Sequence, residues 1–581
     1  MRRNHRGHHR ARQGDSASPI LISRVAGKSH LDYTGVAVVG SPGCCIKKGP
    51  FLNRRAAQLA RAGCMSFLSP PPSRSATRGM ATLLAEAVTA RFRLDLRSLA
   101  AFRVAVGLVL AADALLRLRD FPLMFTPNGM FPHDALHAFT PSAANWSLAF
   151  LLDAAWWDGV VLGLEGLAGV VLAVGFQTRL ATVVAWIALV SVVRRTAPAT
   201  NAGDLWLATL LLWGMFLPLG DRWSLDAMRR PRSPHSEHLS VASVALTLQV
   251  LVVYLAAGLS KCNPTWFSGT AVRDALSVHD HGTQLGAWLV QLPGVAAVAG
   301  MAVLTLELSG PLLFLLLPWP WLRSSIALSF LAFHGLVAAL MSVGLFAPIG
   351  IAAWLALVPA PLWNRIGGLV RFQGQPSLSA DTAAPMLTRR RPCAVRIAVG
   401  GVCGGLLALA VADAAARLSS RQVQLPAAAE FAVDLACLRQ DWEMFGTVPH
   451  QEQWAYARGV LADGSEIDLL REGQPLQRER PSGGFTTLPH HRWHKLLWVL
   501  PKPPMRVFSP SIARALADHW NARQPPERQL RRLEICFARL TADSSLASEP
   551  GVWHELVVAT WPPRNAAGAG NLDRWLEERG E

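Results

Sequence analysis

SSIALSFLAFHGLVAALMSVGLFAPIGIAAWLALVPAPLWN, residues 324–364, is a run of 41 residues without Asp, Glu, Lys or Arg. A helix needs about 20 predominantly apolar residues to cross the hydrocarbon core of a bilayer. This run is long enough for two such helices, with a break near Ser342 to Pro348. It therefore predicts a protein that crosses a membrane more than once.

The composition of the whole chain indicates the same class. The 581 residues are 51% hydrophobic and 16% charged, with a mean hydropathy of +0.26, whereas about a quarter of the residues are charged in soluble globular proteins. The formal net charge of +17 is unevenly placed, because residues 1–80 hold 14 Lys and Arg against two acids and contribute +12. Only +5 remains for the other 501 residues, so bulk charge predicts no nucleic-acid partner.

Residues 1–79 are rich in Arg, Gly, Ser and Pro and lack a long apolar run. They cannot bury enough apolar surface to fold, so we expect them to be disordered, and they are too polar for a signal peptide. Met80 opens a more regular sequence. Two interpretations of the segment stay open: a tail or wrongly assigned start, and a functional basic arm.

Other long apolar stretches predict further membrane helices. Residues 80–417 are therefore predicted to form an α-helical polytopic transmembrane domain that is embedded in membrane lipids. Several Trp residues lie near the proposed helix ends, where an amphipathic ring prefers the headgroup region. The nine predicted membrane helices cover residues 99–117, 157–175, 178–194, 204–220, 239–260, 293–317, 323–342, 345–362 and 394–416.

The loops between these helices carry cations unevenly. Successive loops lie on alternate sides of the membrane. The loops on the side of the N-terminus hold fourteen Arg, and the loops on the opposite side hold six Lys or Arg. Because short cytoplasmic loops are enriched in Lys and Arg, we expect a cytoplasmic N-terminus. An odd number of crossings then predicts an extracytoplasmic C-terminus.

Residues 418–581 are mixed in polarity and too charged to enter the membrane. Polar and apolar residues alternate on both sides of Asp463–Gly464, a pair suited to a hairpin with a type I′ turn. SIARALADHWNAR has helical spacing, whereas RRLEICFARL and HELVVATW are typical of strands. The pattern predicts an extracytoplasmic α+β domain.

The cysteines and histidines give no metal-binding pattern. Cys437 and Cys536 would pair only in an oxidising compartment, and both the paired and the free state stay open. The histidines at 279–281 and at 490, 491 and 494 have loose spacing, which indicates solvated loops. We therefore predict no metal.

Several passages of the membrane domain occur in an order that is specific to one family. They are LDLRSLAAFRVAVGLVLAADALLRL, FTPNGMFP, GFQTRLAT, NAGDLWLATLLLWGMFLPLGDRWSLDA, YLAAGLSKCNPTWFSGTAVRDAL, LELSGPLLF and FHGLVAALMSVGLF. The stretch from about 91 to 365 resembles the horizontally transferred transmembrane domain (HTTM) family, the bacterial relatives of the membrane part of vitamin K-dependent gamma-carboxylase. The resemblance implies a bacterial inner-membrane protein, and the later passage LRQDWEMFG is similar to the extracytoplasmic tail of these relatives.

The resemblance also implies a lyase chemistry. In the carboxylases a Lys after a Tyr-x-x-Ala-Gly passage deprotonates reduced vitamin K, which reacts with oxygen to give a base that removes a glutamate proton before carbon dioxide adds. Lys261 stands at that position. It is the only Lys from residue 49 to 494, and the other fixed cations there are Arg, which cannot lose a proton at accessible pH. The alternative is an interfacial Lys that extends toward the headgroups.

Other polar residues inside the predicted spans have a functional and a structural interpretation. Glu307 lies mid-span, where it is either a proton acceptor or substrate contact, or a hydrogen-bonding link between helices. His334 is at a family position and is either catalytic or a packing residue. Asp113 and Arg117, four residues apart, are predicted to pair, and Arg103 is expected to find its partner on another helix.

One passage departs from the carboxylases. Where the animal enzymes have Asn-His-Ser, this chain has Asn201, Ala202, Gly203 and Asp204, so the His implicated in carboxylation is missing. Asn201 and Asp204, with Arg195, are predicted to contact substrate instead. This departure puts glutamate carboxylation in doubt.

Two functions remain open at this point. The first is a membrane enzyme that uses Lys261 as a base on a reduced, vitamin K-like quinone or another lipid-soluble substrate. The second is a non-catalytic partner or maturation factor for a secreted peptide or protein client. The scarcity of Lys favours the enzyme, and the missing His favours the partner.

Overall fold

The computed structural model describes residues 79–563, apart from 80–84, 87, 230–234, 278–280, 370–392, 419–423, 440–441, 443–444, 447–451, 482–486 and 542–551. The segment predicted to be disordered, residues 1–79, lies outside the described residues but for its last position. The domain boundary expected at residue 417 stays a prediction.

Helices dominate the described part of the chain up to residue 435. They begin with α1 (Leu96–Leu118), α2 (Ala155–Val174), α3 (Thr178–Arg195), α4 (Ala202–Gly214) and α5 (Val241–Ser260). They continue with α6 (Val295–Leu316), α7 (Pro320–Leu340), α8 (Phe346–Leu355), α9 (Ala360–Leu369), α10 (Cys393–Leu418) and α11 (Ala427–Leu435). Short helices at Phe121–Met124, His133–Phe139, Leu225–Met228, Pro264–Phe267, Thr270–Ser277 and Gln284–Leu289 lie in the connections.

Six of the described helices are long and apolar enough to cross a membrane, namely α1, α2, α5, α6, α7 and α10. A seventh crossing is obtained if α8 and α9 count as one broken span, because the chain bends by 93° between them. Each of the nine segments predicted from the sequence contains a helix, but 204–220 is helical only to Gly214 and 345–362 is divided between α8 and α9. The count of nine crossing helices is not confirmed.

The two segments that fall short of a full crossing have separate physical reasons. Helix α3 contains three Arg, and two of them, Arg194 and Arg195, are buried among protein partners. Helix α4 has 13 residues, which extend over about 20 Å, whereas the hydrocarbon core is about 30 Å thick. Uncharged length alone could not show that these two segments are less suited to a full crossing than the other seven.

Helices α1 and α2 pack with their backbones in close contact. A Cβ atom on Gly107 would lie 2.5 Å from the carbonyl oxygen of Gly169, and one on Gly169 would lie 2.8 Å from that of Gly107. Small residues permit such an approach between membrane helices, where van der Waals packing replaces the hydrophobic driving force. The crossing holds α1 and α2 side by side, and both helices carry buried polar residues.

The C-terminal region, defined here as residues 424–563, contains a five-stranded antiparallel sheet. Its order is β5–β4–β3–β6–β7, and a separate two-stranded pair, β1 and β2, connects the start of α1 with the loop before α5. The strands are β1 (Leu94–Asp95), β2 (Glu237–His238), β3 (Glu452–Leu461), β4 (Glu466–Asp468), β5 (Gln474–Pro475), β6 (Leu530–Thr541) and β7 (Val552–Trp561). Helices α12 (His491–Val499) and α13 (Ser509–Asn521) complete the region.

The predicted elements of the C-terminal region are confirmed, with one correction. The hairpin exists as β3 and β4, but its turn is not type I′, because Gly464 has a φ of +88° while Asp463 has no positive φ. A type I′ turn needs positive φ at both central residues. Cys437 and Cys536 are both free and buried, so they do not form the disulfide that the sequence left open.

The C-terminal region packs directly on the membrane helices and their connections. The Phe131 and Phe508 rings meet edge to face with centroids 5.7 Å apart, and the Ser511 hydroxyl donates to the carbonyl of Met130 at 2.8 Å. One hydrophobic cluster includes Leu162 of α2 together with Leu496 of α12. The passage FTPNGMFP, residues 125–132, is thus held against this region.

The membrane topology is tested by reporter fusions. Seven crossings, like nine, place the two ends of the chain on opposite sides, whereas six place them on the same side. Because of the cation asymmetry, we expect a reporter that is active only outside the cytoplasm to be active after residue 581 and silent within residues 229–232. Activity at both positions, or silence after residue 581, would contradict the predicted orientation.

Candidate functional site

Lys261 and Glu307 form a buried ion pair. Lys261 directly follows α5, and its Nζ donates to Glu307 Oε2 in α6 at 2.9 Å and to the carbonyl of Ala257 at 3.2 Å. The two side chains are only 5% and 6% exposed. An ammonium group has three N–H donors, so these two acceptors use two of them and leave the third without an acceptor among the described residues. The Lys261 side chain is therefore buried between the helices of the protein.

Close packing of α5 on α6 makes this pair possible. A Cβ atom added at Gly258 would lie 3.1 Å from Glu307 Cβ and 3.0 Å from a methyl group of Leu308. Gly258 therefore permits a short distance between the two helices, within reach of a Lys side chain. The Trp266 ring lies 5.4 Å from Lys261 Nζ, in the range of a cation–π contact.

A second polar pair lies further along α5. The Tyr254 hydroxyl and His334 Nε2 of α7 are 2.6 Å apart, and both residues are buried. Tyr254 and Lys261 are seven residues apart, which puts them on one face of α5 at an axial separation of about 10 Å. Glu307 is close enough to Tyr254 for an electrostatic interaction, so the two pairs belong to one polar region.

His334 is enclosed by aromatic rings and a glycine. A Cβ atom on Gly350 of α8 would lie 2.2 Å from the imidazole Cε1, so only glycine fits there. The Trp206 and Phe346 rings lie 6.4 Å and 5.9 Å from the imidazole, measured between centroids. Trp206 also meets Trp442 of the C-terminal region edge to face at 5.7 Å. The region around the two polar pairs is therefore mainly aromatic.

Part of the LRQDWEMFG passage covers the end of α5. The carbonyl of Gly446 accepts from Asn263 Nδ2 at 2.7 Å, and the carbonyl of Phe445 accepts from Trp266 Nε1 at 2.7 Å. Phe445 has a φ of +56°, an uncommon conformation for a bulky residue. These contacts connect the C-terminal region with the Lys261 side of the membrane domain.

Asn201 and Asp204 form the capping box of α4. Asn201 Oδ1 accepts from the backbone N–H groups of Gly203 and Asp204, and Asp204 Oδ2 accepts from the Asn201 N–H at 2.9 Å. A reciprocal cap of this kind satisfies backbone donors that the first turn of a helix leaves free. The structure thus shows a structural role for both residues, and their predicted contact with substrate stays a prediction.

Asp204 also belongs to a buried cluster of charged residues. Arg492 of α12 donates to both Asp204 oxygens at 2.7 and 2.9 Å and to Asp113 of α1 at 2.5 Å. Arg117 donates to Asp113 at 2.9 Å and to the Thr196 hydroxyl at 2.8 Å. The predicted pairing of Asp113 with Arg117 is confirmed. We call Asp113, Arg117, Asp204 and Arg492 the four-charge cluster.

The other Arg residues considered in the sequence have structural partners. Arg195 Nε pairs with Asp158 at 3.1 Å, and its NH groups donate to the carbonyls of Phe131 and Phe125 at 2.7 and 2.8 Å. Arg195 therefore fixes the FTPNGMFP passage, and the structure does not place it in the Lys261 pair. Arg103 donates to the carbonyl of Ala173 in α2, which confirms a partner on another helix.

The histidines form no metal site within the described residues. No group of three or more His, Cys, Asp or Glu side chains there is arranged to hold a metal ion. His490 caps α12 and contacts Asp120, and His281 packs against the His494 ring at a centroid distance of 4.5 Å. Burial, reinforced by Arg492, lowers the pKa of His491 to about 4, so this residue is neutral at physiological pH.

Sequence reasoning missed three residues that the structure makes prominent. Arg492 was hidden in a passage interpreted as a solvated His cluster, and no local signal distinguishes it. Tyr254 had a usable signal, because it is one of only three Tyr in the chain and lies seven residues before Lys261. Glu165 also had a usable signal, because it is the only acidic residue between residues 159 and 174, inside a predicted membrane helix.

Comparison with known proteins gives one match. The family model of the HTTM domain matches residues 92–363. Lys261, Glu307, His334 and the motif passages on which the resemblance rests fall within this range, apart from the LRQDWEMFG passage. No curated protein and no solved structure matches the chain. The resemblance inferred from the sequence is confirmed by the family match.

Proposed function

Because residues 92–363 form an HTTM domain and the chain is an integral membrane protein related to the gamma-carboxylase family, we propose that it removes a proton from a lipid-soluble hydroquinone. The observation that carries the proposal is the buried contact of 2.9 Å between Lys261 Nζ and Glu307 Oε2. A reduced, vitamin K-like quinone is the substrate class. Addition of carbon dioxide is not part of the proposal, because the sequence has Asn201 to Asp204 where the animal enzymes have their His.

The two side chains would act as one proton-accepting unit. Lys261 first passes a proton to Glu307, and the resulting neutral amine turns its lone pair toward the substrate hydroxyl and takes the hydroxyl proton. The products are the hydroquinone monoanion, the Lys261 ammonium and a neutral Glu307 carboxylic acid. The site holds one cation and one anion both before and after the transfer, so the step adds no charge to the interior. The low dielectric of the interior, which would oppose the creation of a new charge, therefore does not oppose the step.

The surroundings of the pair suit a planar aromatic substrate. The Trp266 ring lies over Lys261 Nζ, and the neighbouring polar region around Tyr254 contains the rings of Trp206 and Phe346. Aromatic rings stack on a flat substrate and leave its polar hydroxyls to the few polar groups present. A hydroquinone that arrives from the membrane lipids would find both features together.

The proposal is tested by turnover in a lipid bilayer. The full chain, reconstituted in lipid nanodiscs, is supplied with a reduced naphthoquinone, and oxygen uptake is recorded because deprotonated hydroquinones react with oxygen far faster than neutral ones. We expect uptake above that of protein-free nanodiscs, saturating with hydroquinone concentration. Uptake equal to that of protein-free nanodiscs across the concentration range would contradict the proposal.

A second candidate function is that of a maturation partner for a secreted peptide or protein. It is favoured by a groove of about 310 Å³ between the C-terminal region and the His133–Phe139 helix, lined in part by Pro132, Val507, Arg514 and Trp561. A mainly apolar surface with one cation suits an extended client segment. If oxygen uptake by the reconstituted chain equals that of protein-free nanodiscs, this second function replaces the first.

A further inference from the structure

Glu165 is a carboxylate for which the four-charge cluster provides no cation. It lies in the middle of α2 and is completely buried, with an exposed fraction of 0%. Neither of its carboxylate oxygens has a hydrogen-bond donor among the described residues. A buried carboxylate without a donor is unfavourable in its ionised form, most of all at membrane depth. The side chain therefore needs a partner that the protein donors do not supply.

The charges next to Glu165 are already matched to one another. Across the α1–α2 contact, a Cβ atom on Gly166 would lie 3.1 Å from Ala114 Cβ, and Asp113, the residue before Ala114, interacts with Glu165. The charged groups that act on Glu165 are Asp113 and Arg117 from α1 and Arg492 from α12.

These two guanidinium groups bond to two carboxylates, Asp113 and Asp204. The neighbouring His491 is neutral. Counting Glu165, three carboxylates share two fixed cations, so the site lacks one positive charge.

We propose that Glu165 binds a proton and, as a neutral carboxylic acid, donates it to Asp113, so that the four-charge cluster and Glu165 form a proton-binding site inside the membrane domain. A protonated carboxyl gains an O–H donor, and Asp113 is the acceptor beside it. The added proton makes the site neutral. A metal ion fits less well, because two guanidinium groups already occupy the carboxylates and the described residues contain no metal-binding group.

The proposal is independent of the hydroquinone reaction, because it involves none of the residues of the Lys261 pair. It is tested by infrared spectroscopy on the full-length protein in lipid, with Glu165→Gln as the variant. At neutral pH we expect a carbonyl band of a protonated carboxylic acid that shifts in heavy water in the wild-type protein. The band should be absent from Glu165→Gln and present in the control Glu307→Gln.

Thermal unfolding provides the second measurement. The Gln side chain has the shape of a protonated Glu, and its NH₂ group donates to Asp113 as the acid would. We therefore expect the Tm of Glu165→Gln to stay within about 2 °C of the wild-type value. Two results would overturn the proposal: identical carboxylic-acid bands in wild type and Glu165→Gln, or failure of the variant to fold with wild-type stability.

Discussion

Lys261→Arg should lower hydroquinone-dependent oxygen uptake by at least about 100-fold, the lower end of the contribution of general acid–base catalysis. The guanidinium keeps the positive charge, so it can still pair with Glu307. It cannot pass on a proton and become neutral during the reaction, because its pKa is above 12. Initial rates of oxygen uptake in nanodiscs, compared at equal protein content, measure the effect.

Two further variants separate proton transfer from packing. Glu307→Gln removes the proton acceptor and keeps the size of the side chain, so we expect a comparable loss of oxygen uptake. Lys502→Arg makes the same chemical change outside the HTTM domain and should leave the rate unchanged. Wild-type uptake in Lys261→Arg would show that Lys261 is a structural cation and would remove the basis of the proposed reaction.

Arg492→Ala should reduce the free energy of unfolding by about 3–5 kcal/mol, the loss measured when one partner of a buried ion pair is removed. Arg492 is buried and bonds to Asp113 and Asp204 at once. Its removal leaves two buried carboxylates with Arg117 as their only remaining cation in the four-charge cluster. Because Arg492 belongs to α12, its removal should also weaken the packing of the C-terminal region on the membrane helices. We therefore expect this region to become more sensitive to limited proteolysis.

A matched control is available within the same region. Arg458 pairs with Glu466 on the sheet, where the two side chains are 27% and 34% exposed. Its second contact, 3.4 Å to Glu534, leaves Glu534 with Arg532 as a partner when Arg458 is removed. An ion pair in contact with solvent contributes about 1 kcal/mol or less, so Arg458→Ala should have a small effect. Denaturant unfolding of both variants gives the comparison, and equal losses would show that the four-charge cluster contributes no more than an exposed pair.

The membrane class and the fold of the C-terminal region could be predicted from the sequence because their signals are local. An uncharged run such as 324–364 has few alternatives to a pair of membrane helices. The strand patterns of β6 and β7 and the helical spacing of α13 have the same local character. The number of crossings was less accessible, because much of α3 and nearly all of α4 are buried against neighbouring helices, and apolar composition does not distinguish burial in protein from contact with lipid.

Lys261, Glu307 and His334 were identifiable as separate residues, from the scarcity of Lys, the mid-span position of an acid and the family motifs. The residues that contact these three side chains could not be identified from the sequence. That Lys261 contacts Glu307, 46 residues later, depends on how closely α5 approaches α6, and that His334 contacts Tyr254 depends on the packing of α7 on α5. Residue type and spacing within one helix contain no information on such distances.

Sequence patterns therefore indicate which segments are helical or extended, which of them are apolar, and which residues carry unusual chemistry. Which charges meet depends on how the helices pack in the folded protein. Asp113 and Arg492 are 379 positions apart, and Glu165 has no guanidinium of its own because Asp113 and Asp204 bind both. The physical reason is that a buried charge is stabilised by whichever opposite charge folding places within a few ångströms, and that placement is a property of the packed helices, not of the local sequence.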